Sequence, residues 1–119
     1  MKVAIVGSRS INNISVAFIA EHLPEGCNKI ISGGARGVDS LARQLATKHN
    51  IPFQCFLPSY TLYGKAAPII RNSQIVQNAD FVLVFWDGKS KGSAFVIKRC
   101  QASSKPFKVI ECWIKTFSS

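Results

Sequence analysis

The chain has 119 residues, a length that fits one folding unit with a hydrophobic core of its own. Hydrophobic residues make up 47% and charged residues 18%, which excludes a disordered chain of low hydrophobicity and high charge; apolar runs such as "FVLVFW" at 81–86 are far shorter than the roughly 20 residues of a membrane span. Fifteen Lys and Arg against six Asp and Glu leave a net charge of +9, so the partners expected on electrostatic grounds are anions: nucleotides, nucleic acid or acidic proteins.

In chain order, "KVAIVG" at 2–7 reads as a buried strand because it is apolar on both faces. "NISVAFIAEHL" at 13–23 has helical spacing through Ile14, Ala17, Phe18 and His22 or Leu23. "KIIS" at 29–32 is the second strand. Val38, Leu41, Ala42, Leu45 and Ala46 then fall at i, i+3, i+4, i+7 and i+8, the stripe of an amphipathic helix. "PFQCFL" at 52–57 is a third strand, "PSYTLYGK" at 58–65 a loop, and 68–78 a helix with Pro68 in its first turn, where proline loses no hydrogen bond. "FVLVFW" is the fourth strand, "SAFVIKRCQASS" at 93–104 the fourth helix, and "FKVIEC" at 107–112 the fifth strand. Strict alternation of strand and helix implies right-handed crossovers and a parallel sheet with both faces covered. The expected fold is therefore a three-layer, Rossmann-like α/β domain of about five parallel strands over residues 1–119. The C-terminal Trp113 and Phe117 are expected to pack back on the sheet.

Cys27, Cys55, Cys100 and Cys112 contain no CxxC pair, and their gaps of 28, 45 and 12 match no zinc pattern, so no metal is expected. Cys55 and Cys112 fall in strands, where a free cysteine serves as a small buried hydrophobe in a reducing compartment. "MKVAIVGSRS" lacks the long apolar stretch of a signal peptide, and a cytoplasmic protein is expected. His22 and His49 sit on helices as surface or boundary residues.

Six of the eight glycines follow strands one, two and four: Gly7 in "GSRS", Gly33, Gly34 and Gly37 in "SGGARG", Gly88 and Gly92 in "DGKSKG". In an open parallel sheet these loops share the carboxyl edge, where ligands bind near the reversal of strand order. Each loop joins glycine to serine hydroxyls and a cation, Arg9, Arg36, and Lys89 or Lys91. Backbone N–H groups opening the following helices add a partial positive charge suited to phosphate or carboxylate. Ordinary turn and capping chemistry also favours these residue types, but the combination recurs in three loops on one edge. Neither GxGxxG nor GxxxxGK[ST] occurs, which argues against a common dehydrogenase or P-loop NTPase.

Four ordered blocks, "GSR" at 7–9, "SGGARGVDSLA" at 32–42, "YGKAAPIIRNSQIVQNAD" at 63–80 and "VLVFWDGKSKGSA" at 82–94, together resemble the SLOG superfamily. This Rossmann-like group contains the Smf/DprA DNA-processing proteins and the LOG nucleotide phosphoribohydrolases, and the chain looks most like its small stand-alone YspA/YpsA-related branch. The resemblance implies a site for a nucleotide-derived ligand on Gly7, Ser8, Arg9, Ser32, Gly33, Gly34, Arg36 and Gly37, with Arg71 and Asn72 from the third block and Asp87, Gly88, Ser90, Gly92 and Ser93 from the last. Asp39 matches the step after the glycines; it either caps the helix it opens or contacts a ribose. Trp86 lines core or cleft, or stacks on a base. The resemblance also implies a dimer. LOG enzymes carry a PGGxGTxxE pattern whose glutamate serves cleavage of base from sugar phosphate, whereas here Val96 stands at that place.

Three functions follow from these residues. The first is binding or sensing of a phosphate-bearing nucleotide derivative, with no further cofactor. The second is a hydrolase of the LOG type, with Asp39 or Asp87 as general base provided burial raises its pKa. The third is DprA-like single-stranded DNA binding, for which stacking aromatics are few: Trp86, Tyr60 and Tyr63.

Overall fold

The computed structural model describes residues 1–34 and 37–112. Its elements are β1 (Lys2–Gly7), α1 (Val16–Glu21), β2 (Lys29–Ser32), α2 (Val38–Lys48), β3 (Phe53–Cys55), α3 (Tyr60–Tyr63), α4 (Ala67–Asn78), β4 (Phe81–Trp86), α5 (Lys91–Ala102) and β5 (Phe107–Glu111). The five strands form one sheet in the order β3-β2-β1-β4-β5, and every pairing is parallel. This is the three-layer Rossmann-like arrangement that the alternation of strands and helices implies.

Two apolar cores lie on the two faces of the sheet. Val3 and Ile5 of β1 and Leu83 and Phe85 of β4 point to one face, against Ile19 of α1 and Val38, Ala42 and Leu45 of α2. Ala4, Val6, Val82 and Val84 point to the other, against Ile75 and Val76 of α4 and Val96 and Cys100 of α5. The side-chain period of two along a strand produces this division, and a central strand buried on both sides must be apolar at every step. Phe85 is fully buried and meets the rings of Phe18 and His22 edge-on at 6.1 and 5.9 Å. His22 thus packs at the core boundary, while His49 is exposed.

Several boundaries differ from the periodicity reading, each for a local reason. α1 starts only at Val16, because the Ser15 hydroxyl accepts from the Phe18 N–H at 3.1 Å and caps the first turn. β3 is three residues rather than six: among the described residues it pairs with β2 alone, which ends at Ser32, and the last ladder bond is Phe56 N–H to the Ser32 carbonyl at 2.9 Å. Cys55 therefore ends an edge strand half-buried, and Cys112 is buried just beyond β5. The stretch read as a loop at 58–65 instead forms the single turn α3, followed by a 3-10 turn at Gly64–Ala66. Gly64, at φ +55°, breaks the helix between them. α5 begins at Lys91, two residues earlier than expected, under the Ser90 hydroxyl. The reading of Trp113 and Phe117 lies outside the described residues.

Among the described residues no helix is long and apolar enough to cross a membrane.

Candidate functional site

The chain runs β1 to β2 to β3 toward one edge of the sheet and then returns to place β4 beside β1. At that reversal the loops after β1 and β4 leave in opposite directions, with α1 and α2 on one face and α4 and α5 on the other. A crevice opens where they diverge. An open cavity of about 360 Å³ lies there, lined by Val6, Gly7, Arg9, Ser10, Gly33, Asp39, Pro68, Arg71, Asn72, Ile75, Asp87, Ser90, Gly92, Ser93 and Val96.

Its floor is the end of the second core: Val6 from β1, Ile75 from α4 and Val96 from α5. Its walls are polar. Arg71, on the cavity side of α4, reaches across to the loop after β2, where Nη1 donates to the Gly33 carbonyl at 2.6 Å, while its Nε donates to Oδ1 of the neighbouring Asn72 at 2.8 Å. A Cβ on Gly33 would lie 2.8 Å from Arg71 Nη1 and 3.0 Å from Asp39 Oδ2, so the bare glycine is what admits this guanidinium and the carboxylate together. Asp39 is 6% exposed in the first turn of α2. Arg9 is exposed, two residues beyond the end of β1.

The β1 and β4 loops are laced to each other by hydroxyls and one carboxylate. Asp87 accepts from the Ser10 hydroxyl at 2.5 Å and from the backbone N–H groups of Lys89 and Ser90 at 2.9 and 2.8 Å. Its own N–H donates to Ser8 Oγ at 3.2 Å, and Ser8 Oγ lies 3.3 Å from Ser93 Oγ. The Ser10 hydroxyl first, then these two backbone donors, hold the Asp87 carboxyl well below the usual carboxylate range. The condition under which Asp87 would serve as a general base, a pKa raised by burial, is thus not met: its oxygens are engaged in shaping the loop, and it stays ionised.

Among the residues expected at the site, the fold brings Gly7, Arg9, Gly33, Asp39, Arg71, Asn72, Asp87, Ser90, Gly92 and Ser93 to the cavity wall. The others lie behind or beside it. Ser8 is buried within the lacing described above, and Ser32 is fully buried, donating to the Ile5 carbonyl at 2.7 Å across the sheet. Gly34 turns at φ +75° under Cys55 and Leu57, Gly37 opens α2 at φ +75°, and Gly88 turns at φ +83°. Trp86 packs on the second core while its indole N–H donates to the Ser90 carbonyl at 3.0 Å. Arg36 lies outside the described residues. Ser10 and Pro68 line the cavity without having been expected to. For Ser10 the signal is the second serine of "GSRS"; for Pro68 nothing short of the packing of α4 reveals it.

A parallel sheet in this order, with a polar cavity at its switch point, is a Rossmann-like architecture. The sequence model of the DNA recombination-mediator protein A family matches residues 1–65, more than half of the chain, and the chain belongs to that family. The matched stretch runs from β1 through α3 and contains the loops "GSR" and "SGGARG". No curated protein and no solved structure matches the chain significantly.

Proposed function

We propose that the cavity binds a phosphate-bearing nucleotide or nucleotide-derived ligand, and that the domain holds or senses this ligand without transforming it. The observation that supports this most is the rim itself, where two guanidinium groups, Arg9 and Arg71, and the hydroxyls of Ser10, Ser90 and Ser93 surround an apolar floor. Guanidinium forks suit phosphate oxygens, an apolar floor suits a base, and the volume falls in the range of small-molecule sites. Lys89 on the β4 loop and Lys91 at the start of α5 add positive charge. Against catalysis of the LOG type stand Val96, a buried aliphatic in place of the glutamate, and the committed carboxylate of Asp87.

The test is calorimetric titration with a matched nucleotide and nucleoside. Arg9→Ala should weaken the nucleotide by roughly 10- to 100-fold, the loss of one charge-assisted contact, and the nucleoside much less. Equal losses for both ligands would mean that Arg9 reads no phosphate.

A second reading is single-stranded DNA binding, supported by the name of the family and by the net charge of +9. It requires an affinity for an oligonucleotide that falls steeply with salt and survives competition by mononucleotides. Membership of the YspA/YpsA-related branch, a cytoplasmic location, a single domain over the whole chain and association into a dimer complete the proposal, on the strength of the resemblance.

A further inference from the structure

We infer that Asn72 reads the base of the nucleotide bound in the cavity and selects a ring carbonyl over an exocyclic amine, with Arg71 as the residue that fixes its amide. This rests on the nucleotide reading proposed above and names the class of base that the reading leaves open.

Arg71 and Asn72 are neighbours in the middle of α4, and both line the cavity. The Arg71 Nε–H can only donate, so the atom it meets at 2.8 Å is the amide oxygen of Asn72. That contact removes the two-fold ambiguity of an asparagine amide. The guanidinium is itself held at its far end, where Nη1 donates to the Gly33 carbonyl at 2.6 Å. The oxygen therefore cannot turn away without giving up a bridge between α4 and the loop after β2, and the Asn72 NH2 points away from Arg71. Among the described residues this NH2 has no hydrogen-bond partner. It lies 3.9 Å from the place a Cβ would take on Gly92, which also lines the cavity.

Gly92 is the second, independent observation. Five of the eight glycines stand at positive φ, and at Gly7 and Gly33 a Cβ would strike a neighbouring side chain at 2.5 and 2.8 Å. Gly92 has neither reason. Its φ is not positive, and apart from its own helix only Asn72 Nδ2 and Ser90 Oγ, at 3.9 and 4.0 Å, come near its Cβ position. The fold would accept alanine there, so the bare position leaves room for something the fold does not supply. Ile75 follows Asn72 by three residues on α4, and Val96 follows Gly92 by four on α5; those spacings put each pair on one helix face. Both aliphatic residues are buried and line the cavity. Together the four residues make a slot with an aliphatic floor, a bare backbone on one wall and two N–H donors on the other.

A phosphate laid on aliphatic carbon would lose its water without replacement, whereas a flat ring keeps its apolar face on the floor and presents its edge to Asn72. A carbonyl oxygen on that edge, as in a 6-oxopurine or a 4-oxopyrimidine, accepts from the amide. An exocyclic amine in the same place sets donor against donor and leaves both unsatisfied.

Calorimetric titration with two pairs tests this: inosine against adenosine monophosphate, and uridine against cytidine monophosphate. Ribose and phosphate are identical within a pair, so the ratio of affinities isolates the edge of the base. The wild type should bind the oxo member of at least one pair roughly 10-fold or more tightly, the scale of one hydrogen bond gained against one donor left unpaired. Asn72→Asp keeps an oxygen for Arg71 and turns the NH2 into an acceptor, so it should invert that ratio, whatever its charge does to both members. Arg71→Met frees the amide to turn and should bring the ratio close to one. Loss of a purely structural or phosphate contact would lower both members alike and leave the ratio, which would overturn the role given to Arg71. Gly92→Ala should weaken both members without lowering the melting temperature; full binding by this variant overturns the slot. If none of the four nucleotides binds, the nucleotide reading of the cavity falls and this inference with it. If they bind with no preference or with the amino member favoured, or if Asn72→Asp leaves the ratio unchanged, the cavity reading stands and the assignment of the base is overturned.

Discussion

At Gly7 a Cβ would lie 2.5 Å from Val38 Cγ2 and 2.6 Å from Val38 Cβ. Val38 is fully buried at the start of α2, so neither side of that contact can yield without moving the helix. Gly7 is therefore required by the packing of a helix on a strand, whatever the cavity binds. Gly7→Ala should cost about 1–3 kcal/mol, the usual range for overpacking, read as a lower urea midpoint with an unchanged slope. Gly92→Ala should behave oppositely. Its Cβ would meet nothing closer than Asn72 Nδ2 at 3.9 Å, and removal of a helical glycine stabilises by about 0.5–1 kcal/mol. A Gly7→Ala protein as stable as wild type would show that the loop, not the packing, needs the glycine. Gly34 joins the first group: at φ +75° and with Cys55 Sγ 2.7 Å from its Cβ position, Gly34→Val would strain the fold, so a loss of binding in that variant carries no information about phosphate.

At the scale of elements, the β1 and β4 loops are one unit because Asp87 ties them. A carboxyl whose pKa is lower in the folded than in the unfolded state contributes stability above its unfolded value, about 3.9, and that stability is lost as pH falls toward the folded value. Asp87 is held low chiefly by the Ser10 hydroxyl, and Asp80 is lowered chiefly by the Lys2 N–H, which it accepts at 2.7 Å at the other end of the sheet. The melting temperature should therefore be flat above about pH 5 and decline through about pH 4 and below. Asp87→Asn and Ser10→Ala should each make the decline shallower; a curve of unchanged steepness in both would separate Asp87 from acid unfolding. The lacing also shows what sequence reveals and what it hides. The strands and α2 are legible because each carries its own period, and the glycine loops are legible as an edge because strand ends are. That Ser10 and Ser8 meet Asp87, and that Ser93 meets Ser8, is not legible, since the paired residues lie 77 to 85 residues apart. The same holds for Arg71, whose carbonyl partner is 38 residues away, and for α3, a single turn too short to show a period.

At the scale of the whole molecule, charge and site make separable demands. A protein of charge +9 repels itself internally, so added sodium chloride should raise its melting temperature by screening alone. Inorganic phosphate at matched ionic strength adds exclusion from the protein surface, which favours any compact state, and, on the proposed reading of the cavity, occupation of a site present only in the folded protein, which stabilises in proportion to the logarithm of one plus ligand over Kd. The first two effects do not depend on any one side chain. The third depends on the guanidinium groups at the rim, of which Arg9 is exposed and outside both cores. In differential scanning calorimetry the wild type should therefore gain more from phosphate than from chloride, with the gain rising through a saturable range. Arg9→Ala should melt at nearly the wild-type temperature in chloride, since an exposed side chain supports little of the fold. Its phosphate gain should shrink to a small increment linear in salt. If the saturable part persists at full size in Arg9→Ala, the anion is bound somewhere other than the mouth of this cavity. If it is missing in the wild type as well, the rim does not read phosphate, and the DNA reading becomes the one to pursue.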